Sequence, residues 1–164
     1  MTPTSLPAGL VVDFLNTVDV EAGTDVLDDP RGFARWCRGH GTSPVDSASA
    51  RRLRDELRAM AAGERYRIDP IRIPLAASRD GGLAPAPTDV VEAICAAVMT
   101  LTATGDLARI KLCPADDCRE AFYDRSRNRS RVWCDMVDCG NLAKVRALRG
   151  RRTGAPTRPP TRPS

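Results

Sequence analysis

The apolar residues of this chain change rhythm several times, and each rhythm predicts a different element. Leu10-Val11-Val12-Asp13-Phe14-Leu15-Asn16-Thr17-Val18 is the first dense run; it marks an ordered segment but is too short to separate helix from strand. Asp29 then Pro30 reads as a cap followed by a proline at the first helical position, where its missing N–H costs nothing. Phe33, Trp36 and Cys37 would share the buried face of that helix, which Gly39, Gly41 and Pro44 end. Ser47 or Ser49 opens a second helix with Leu53, Leu57 and Met60 at helical spacing. Arg51, Arg52, Arg54 and Arg58 between them read as a solvated face. Ile68, Ile71, Ile73 and Leu75, the turn Arg79-Asp80-Gly81-Gly82 and then Leu83-Ala84 predict a hairpin, with Pro70, Pro74 and Pro85 confining its strands to edges. A third helix starts at the capping pair Asp89 and Glu92, carries Val91, Ile94, Val98 and Leu101 as its stripe, and stops at Thr104-Gly105-Asp106. Near the C-terminus Leu142, Val145 and Leu148 share a face of a short helix.

These elements predict an α+β protein in three parts. A mainly helical domain with a small β-hairpin spans 1–107, a small cysteine-rich module with a basic helix spans 108–152, and a Pro/Arg-rich disordered tail spans 153–164. Aromatics are only 4% of the chain, so the core must be built from Leu, Val, Ile and Ala. The charge is divided. Residues 1–108 carry 11 Arg and no Lys against 15 acids, whereas residues 109–164 carry 14 Lys+Arg against 6 acids. A basic end of this kind points to a polyanionic partner. No apolar run approaches the ~20 residues needed to cross a bilayer, and Met1 to Val20 does not resemble a secretory signal. Six cysteines in that setting point to a reducing cytoplasm, where thiols serve as metal ligands.

Cys113, Cys118, Cys134 and Cys139 are the chemistry-bearing set: Cys-x4-Cys, a 15-residue spacer, and Cys-x4-Cys. Two close pairs joined by a short loop can bring four thiolates to one tetrahedral point, the geometry of a closed structural zinc site. One Zn2+ is the expected cofactor. Four coordinated sulfurs leave no position for water, which argues against zinc catalysis. Zinc with four thiolates carries a formal charge of about −2, which Lys111, Arg119, Arg125 and Arg131 can offset from behind the sulfurs. Phe122, Tyr123, Val132 and Trp133 are the only core such a module offers, so metal would supply on the order of 10 kcal/mol of its folding free energy. Other uses of the thiols are four unrelated core residues, two disulfides, or a redox sensor that releases zinc on oxidation.

Between the pairs, arginine recurs at every second position: Arg125, Arg127, Arg129 and Arg131, interleaved with Ser and Asn. Arg pairs bidentately with phosphate and can read guanine; Ser and Asn add polar contacts. Lys144, Arg146, Arg149, Arg151 and Arg152 follow on the predicted C-terminal helix, which carries no acid. Both groups are the candidate DNA-binding residues, and phosphate contacts would make binding steeply salt-dependent.

Cys113-Pro114-x3-Cys118, then Phe122-Tyr123-Asp124-x-Ser126-Arg127-Asn128-Arg129-Ser130-Arg131-x-Trp133-Cys134-x-Met136-x2-Cys139-Gly140-Asn141, resembles the CGNR zinc finger over about 108–150. Leu142 stands where that family's final Arg would be, which puts one basic contact in doubt and leaves the metal ligands intact. Asp13-Phe14-Leu15-Asn16-Thr17 is similar to the start of ABATE, the domain that usually precedes this finger. The resemblance implies a bacterial, stress-responsive transcription regulator with an N-terminal sensing domain and a DNA-binding finger.

Asp13 and Asn16 are candidates to line a ligand pocket, or to cap a helix. His40, the one histidine, lies between glycines and reads as a surface residue; with no partner for nucleophilic catalysis, an enzyme is not expected. Cys37 and Cys95 read as core thiols. The leading expectation is thus a DNA-binding transcription regulator. Its alternative is a zinc-dependent module that binds an acidic partner of the transcription machinery. DNA, a small-molecule ligand of the N-terminal domain and a second copy in a homodimer are the partners considered; a membrane is not.

Overall fold

The computed structural model describes residues 6–152, with side chains over 7–146. The tail expected over 153–164 lies outside the described residues. The first apolar run is a helix, α1 (Leu6–Leu15). Ala8, Val11, Phe14 and Leu15 fall on one face and are fully buried, while Asp13 faces out. Helix α2 (Pro30–Gly39) starts as expected: the Asp29 carboxylate accepts from the amides of Arg31 and Gly32. Helix α3 (Ser47–Ala62) is capped by Asp46, not by either serine; its carboxylate accepts from the Ser49 amide at 2.8 Å. In α4 (Val90–Ala103) Asp89 caps the Glu92 amide, and Glu92 reaches back to the amide and hydroxyl of Thr88. A fifth helix, α5 (Asn141–Arg152), ends the described chain.

Three antiparallel strand pairs complete the α+β architecture. β1 (Val18–Asp19) pairs with β2 (Thr24–Asp25). β3 (Leu75–Ala77) pairs with β4 (Leu83–Pro85) around the expected glycine turn, but the first strand begins only at Leu75, and Ile68, Ile71 and Ile73 lie outside it. β5 (Ile110–Leu112) pairs with β6 (Ala121–Tyr123), in the register Ile110 to Tyr123, Lys111 to Phe122 and Leu112 to Ala121.

The core does not stop at the 107/108 line. Ile110, Leu112 and Ala121 join Phe14, Leu15, Phe33, Leu53, Leu57, Ile94 and Leu101 in one buried cluster. β6 packs on α1 and β5 on α3. Each of these large aliphatic side chains contributes roughly 1.5–3 kcal/mol by leaving water, so the finger shares the hydrophobic stabilisation of the helices. Val132, expected in the finger's own core, is 42% exposed.

The arginines of α3 are not a uniformly solvated face. Arg54 is 3% exposed and donates from Nη1 to Asp25 Oδ1 at 2.7 Å and to Thr17 Oγ1 at 3.3 Å. Arg51 pairs with both Asp25 and Asp28. Burial alone would raise the Asp25 carboxyl, but hydrogen bonds from Arg54 and the Leu27 amide, with the charges of Arg54 and Arg51, hold it below its ordinary 3.8. A carboxyl depressed on folding contributes stability that is present above its unfolded value and lost as pH falls through the folded one. Arg54→Met should leave Asp25 with Arg51 as its one remaining cation partner and cost about 1.5–3 kcal/mol in urea unfolding at pH 7. The same variant should flatten the acid limb of stability below about pH 4, measured by unfolding across a pH series.

Candidate metal centre

The first cysteine pair sits at the tip of the β5–β6 hairpin. Cys113 follows β5 directly, and its amide donates to the Glu120 carbonyl at 2.8 Å, one rung beyond the ladder. The amides of Cys118 and Arg119 both donate to the Ala115 carbonyl at 3.0 Å, closing the loop. Arg119 closes it in the left-handed region, at φ 55°. Of the second pair, Cys134 precedes a π-helical turn, Met136–Gly140, and Cys139 lies within it. Asp135 caps that turn through the amides of Val137 and Asp138. A Cβ on Gly140 would lie 3.2 Å from the Met136 sulfur, so a larger residue there would have to displace the end of that half-exposed side chain.

All four sulfurs lie within 4.8 Å of one another, with Cys118 to Cys134 at 3.5 Å and Cys134 to Cys139 at 3.6 Å. A tetrahedral zinc with Zn–S near 2.3 Å sets its sulfurs about 3.8 Å apart. The set therefore fits one structural zinc ion, with all four positions filled by thiolate. These separations are far longer than a disulfide bond of about 2.05 Å, and the cysteines are free. Crowding shows in the protonation of the thiols. Burial and hydrogen bonds with Cys118, Cys139 and Cys113 push Cys134 far up. Burial likewise raises Cys139, to about 12, with Cys118 and Cys113 adding to the rise and Cys134 opposing it. Burial also works against the Cys113 thiolate, but hydrogen bonds to the backbone of Cys134 and Ala115 outweigh it and leave Cys113 low. Four thiolates this close need a divalent cation among them. Cys37 and Cys95 are elsewhere, one fully buried and one half-buried, and burial raises both, Cys95 to about 11.

The arginine run between the pairs is a pinned loop. Asp124 is fully buried; its Oδ2 accepts from Lys111 Nζ at 2.7 Å and the Arg131 amide at 3.0 Å, and its Oδ1 from the Ser126 amide at 2.8 Å. Burial would raise this carboxyl, but the Lys111 and Ser126 hydrogen bonds and the Lys111 charge hold it down at about 2. Lys111 also donates to the carbonyls of Arg129 and Arg131, and Arg109 Nη1 to those of Asp124 and Ser126. Neither these contacts of Lys111 nor the Arg119–Glu64 pair at 3.5 Å goes to sulfur, so the offset of zinc charge expected from those two residues is absent among them.

The expected contact residues have several fates. Arg131 lies over the Phe122 ring at 5.1 Å and donates to the carbonyls of Trp133 and Cys134, bracing the second pair. Arg146 pairs with Asp117 at 2.8 Å. Arg125, Arg127, Arg129 and Lys144 are exposed. Arg149, Arg151 and Arg152 belong to α5, but their side chains lie outside the described set. Asp13 is exposed and faces His40 Nε2 at 3.3 Å, while the His40 ring stacks on Trp36 with centroids 4.0 Å apart. That pair borders an open groove of about 670 Å³ floored by Leu10, Ala96 and Ala97. Asn16 lies elsewhere, bonded to the Ala121 backbone at the side of a smaller cleft of about 200 Å³ shared with Asp19, Cys118 and Glu120. Sequence reasoning missed Asp124 as the loop's anchor; the alternation Ile110-Lys111-Leu112, apolar on both sides of a cation, was its available signal.

This constellation defines a four-cysteine zinc-finger module. Residues 109–152 match the family model of the CGNR zinc finger. No curated protein matches the chain.

Elemental analysis of reduced protein should find one zinc per chain, and Cys113→Ser or Cys139→Ser should lose it. Asp124→Asn should keep that zinc while amide exchange at Ser126 and Arg131 quickens by about tenfold, the factor for a lost net hydrogen bond of ~1.4 kcal/mol, as read by hydrogen–deuterium exchange.

Proposed function

We propose that this protein is a DNA-binding transcription regulator whose zinc-stapled loop presents arginines to the phosphate backbone, and whose N-terminal helical unit senses a ligand or partner. The observation that carries the reading is the state of the loop cations. Among the described residues no carboxylate pairs with Arg127, Arg129 or Lys144, while Arg109, Lys111, Arg119 and Arg146 are each paired. Unpaired arginines on a loop whose backbone is fixed from beneath are presented to a polyanion, because little backbone freedom remains to be lost on contact. Residues 109–152 hold 12 Lys+Arg against 6 acids, an excess that survives the formal charge of about −2 on a zinc tetrathiolate. The groove beside Asp13 and His40 supports the sensing half of the proposal.

A second reading, docking to an acidic protein of the transcription machinery, draws on apolar exposure: Val137 is 74% and Leu142 52% exposed, next to the same cations. Fluorescence anisotropy with duplex DNA over a salt series separates the two. On the proposed reading, log Kd rises linearly with log salt, and Arg127→Ala and Arg129→Ala each lower the slope by about 1 with zinc retained. Affinity indifferent to salt, or unchanged in the double variant, would refute DNA binding. A nuclease-resistant pull-down of an acidic protein would favour the second reading.

A further inference from the structure

Two side chains of the N-terminal helices grip the backbone of the first cysteine pair. Asn16, one residue beyond α1, makes a reciprocal pair with Ala121: the Ala121 amide donates to Oδ1 at 2.8 Å, and Nδ2 donates to the Ala121 carbonyl at 2.9 Å. Arg58, on α3, donates from Nη1 to the Leu15 carbonyl and from Nη2 to the Arg119 carbonyl, both at 2.7 Å. The positions gripped are telling. Ala121 pairs with Leu112, the residue before Cys113. Arg119 follows Cys118 and holds φ 55°, a conformation that costs a non-glycine residue free energy and persists only where its surroundings impose it. The Arg58 guanidinium thus ties the C-terminal end of α1 to the strained residue beside a zinc ligand, and Asn16 ties the same end to the strand opposite the other ligand. Left to itself, a Cys-x4-Cys loop would lose backbone freedom when metal bound; here that freedom is already restricted.

We infer that Asn16 and Arg58 are positioning residues of the zinc site: they hold Cys113 and Cys118 in ligating geometry, so that the N-terminal helices set how tightly zinc is held and how fast it leaves. The inference rests on the zinc reading of the four cysteines. It makes the N-terminal unit part of the metal site, although it contributes no ligand. Loss of hydrogen-bonded support behind metal ligands lowers metal affinity by about 10–100-fold, and these two contacts, made through the backbone, belong at the lower end of that range.

The test uses the full chain and zinc itself. Zinc affinity is measured by competition with a chromophoric chelator, and release by the rate of transfer to excess chelator. Asn16→Ala and Arg58→Lys, the second keeping the charge but losing the two-pronged fork, should each weaken binding and speed release by about 10-fold. Exposed Arg52→Ala on the same helix should do neither. Far-ultraviolet circular dichroism is recorded at the same temperature to establish that the helices are intact. Arg119→Gly, which removes the cost of the positive φ, should recover part of the affinity lost in Arg58→Lys and gives a second readout if Asn16→Ala folds poorly. Unchanged affinity and release in folded Arg58→Lys, or no recovery on adding Arg119→Gly, would overturn the inference. A parent chain that binds no zinc would overturn the metal reading instead.

Discussion

Asp124, fully buried, and Lys111, half-buried, form an ion pair at the point where the helical core, the arginine loop and the zinc site meet. Burying the Asp124 carboxylate costs several kcal/mol in lost hydration, and the cost is offset only when its remaining lone pairs, and the protons of the ammonium beside it, find partners. Here they do. The carboxylate takes two backbone amides as well as the ammonium, and the ammonium gives its other protons to two loop carbonyls. The pair therefore closes an eight-residue loop by its backbone, from Asp124 to Arg131, without using an arginine side chain. A loop with an arginine at every second position would otherwise extend under its own repulsion.

The β5–β6 hairpin is what lets one pair serve three neighbours. Side chains of a strand alternate between faces. Ile110 and Leu112 turn into the helical core, and Lys111 turns the other way onto the loop. Cys113 and Cys118 then hang from the same hairpin's tip. Zinc binding, loop order and helix packing consequently act on one small ladder, and a zinc finger with little core of its own draws on the apolar burial of its neighbour. Metal free energy and hydrophobic free energy stabilise the same hairpin, which couples loss of one to strain in the other.

Local patterns were legible in the sequence; pairings across distance were not. The α2 and α4 caps, the glycine hairpin and the four cysteines each depend on residues a few positions apart, and periodicity with capping chemistry finds those. The α1 run of Leu, Val and Phe was undecided because short apolar runs fit helix and strand equally, and it was settled by packing on α4 and β6. Arg54 illustrates the larger failure. Its sequence neighbours made it one of four arginines on a surface, and only Asp25, 29 residues away, makes it a core residue. Asn16 reaches across 105 residues to Ala121. Asp13 and Asn16 look alike as polar interruptions of one apolar run, yet they border different clefts, and only Asn16 also joins two parts of the fold.

Leu142 has a consequence that follows from this division of labour among cations. In the resembled motif an arginine would occupy the first turn of α5, and here that place is 52% exposed leucine, with Val145 one turn on at 43%. Arg146 on the same helix is held by Asp117. The start of α5 thus presents apolar surface and one unpaired lysine, Lys144, among its described side chains. A helix beginning so has little charge with which to grip a phosphate, whereas Arg127 and Arg129 project from a loop whose backbone is already fixed. Among the described side chains of the finger, unpaired positive charge is therefore concentrated on the loop. Apolar surface of the kind that the first turn of α5 exposes is not subject to screening by salt, unlike the cations of the loop.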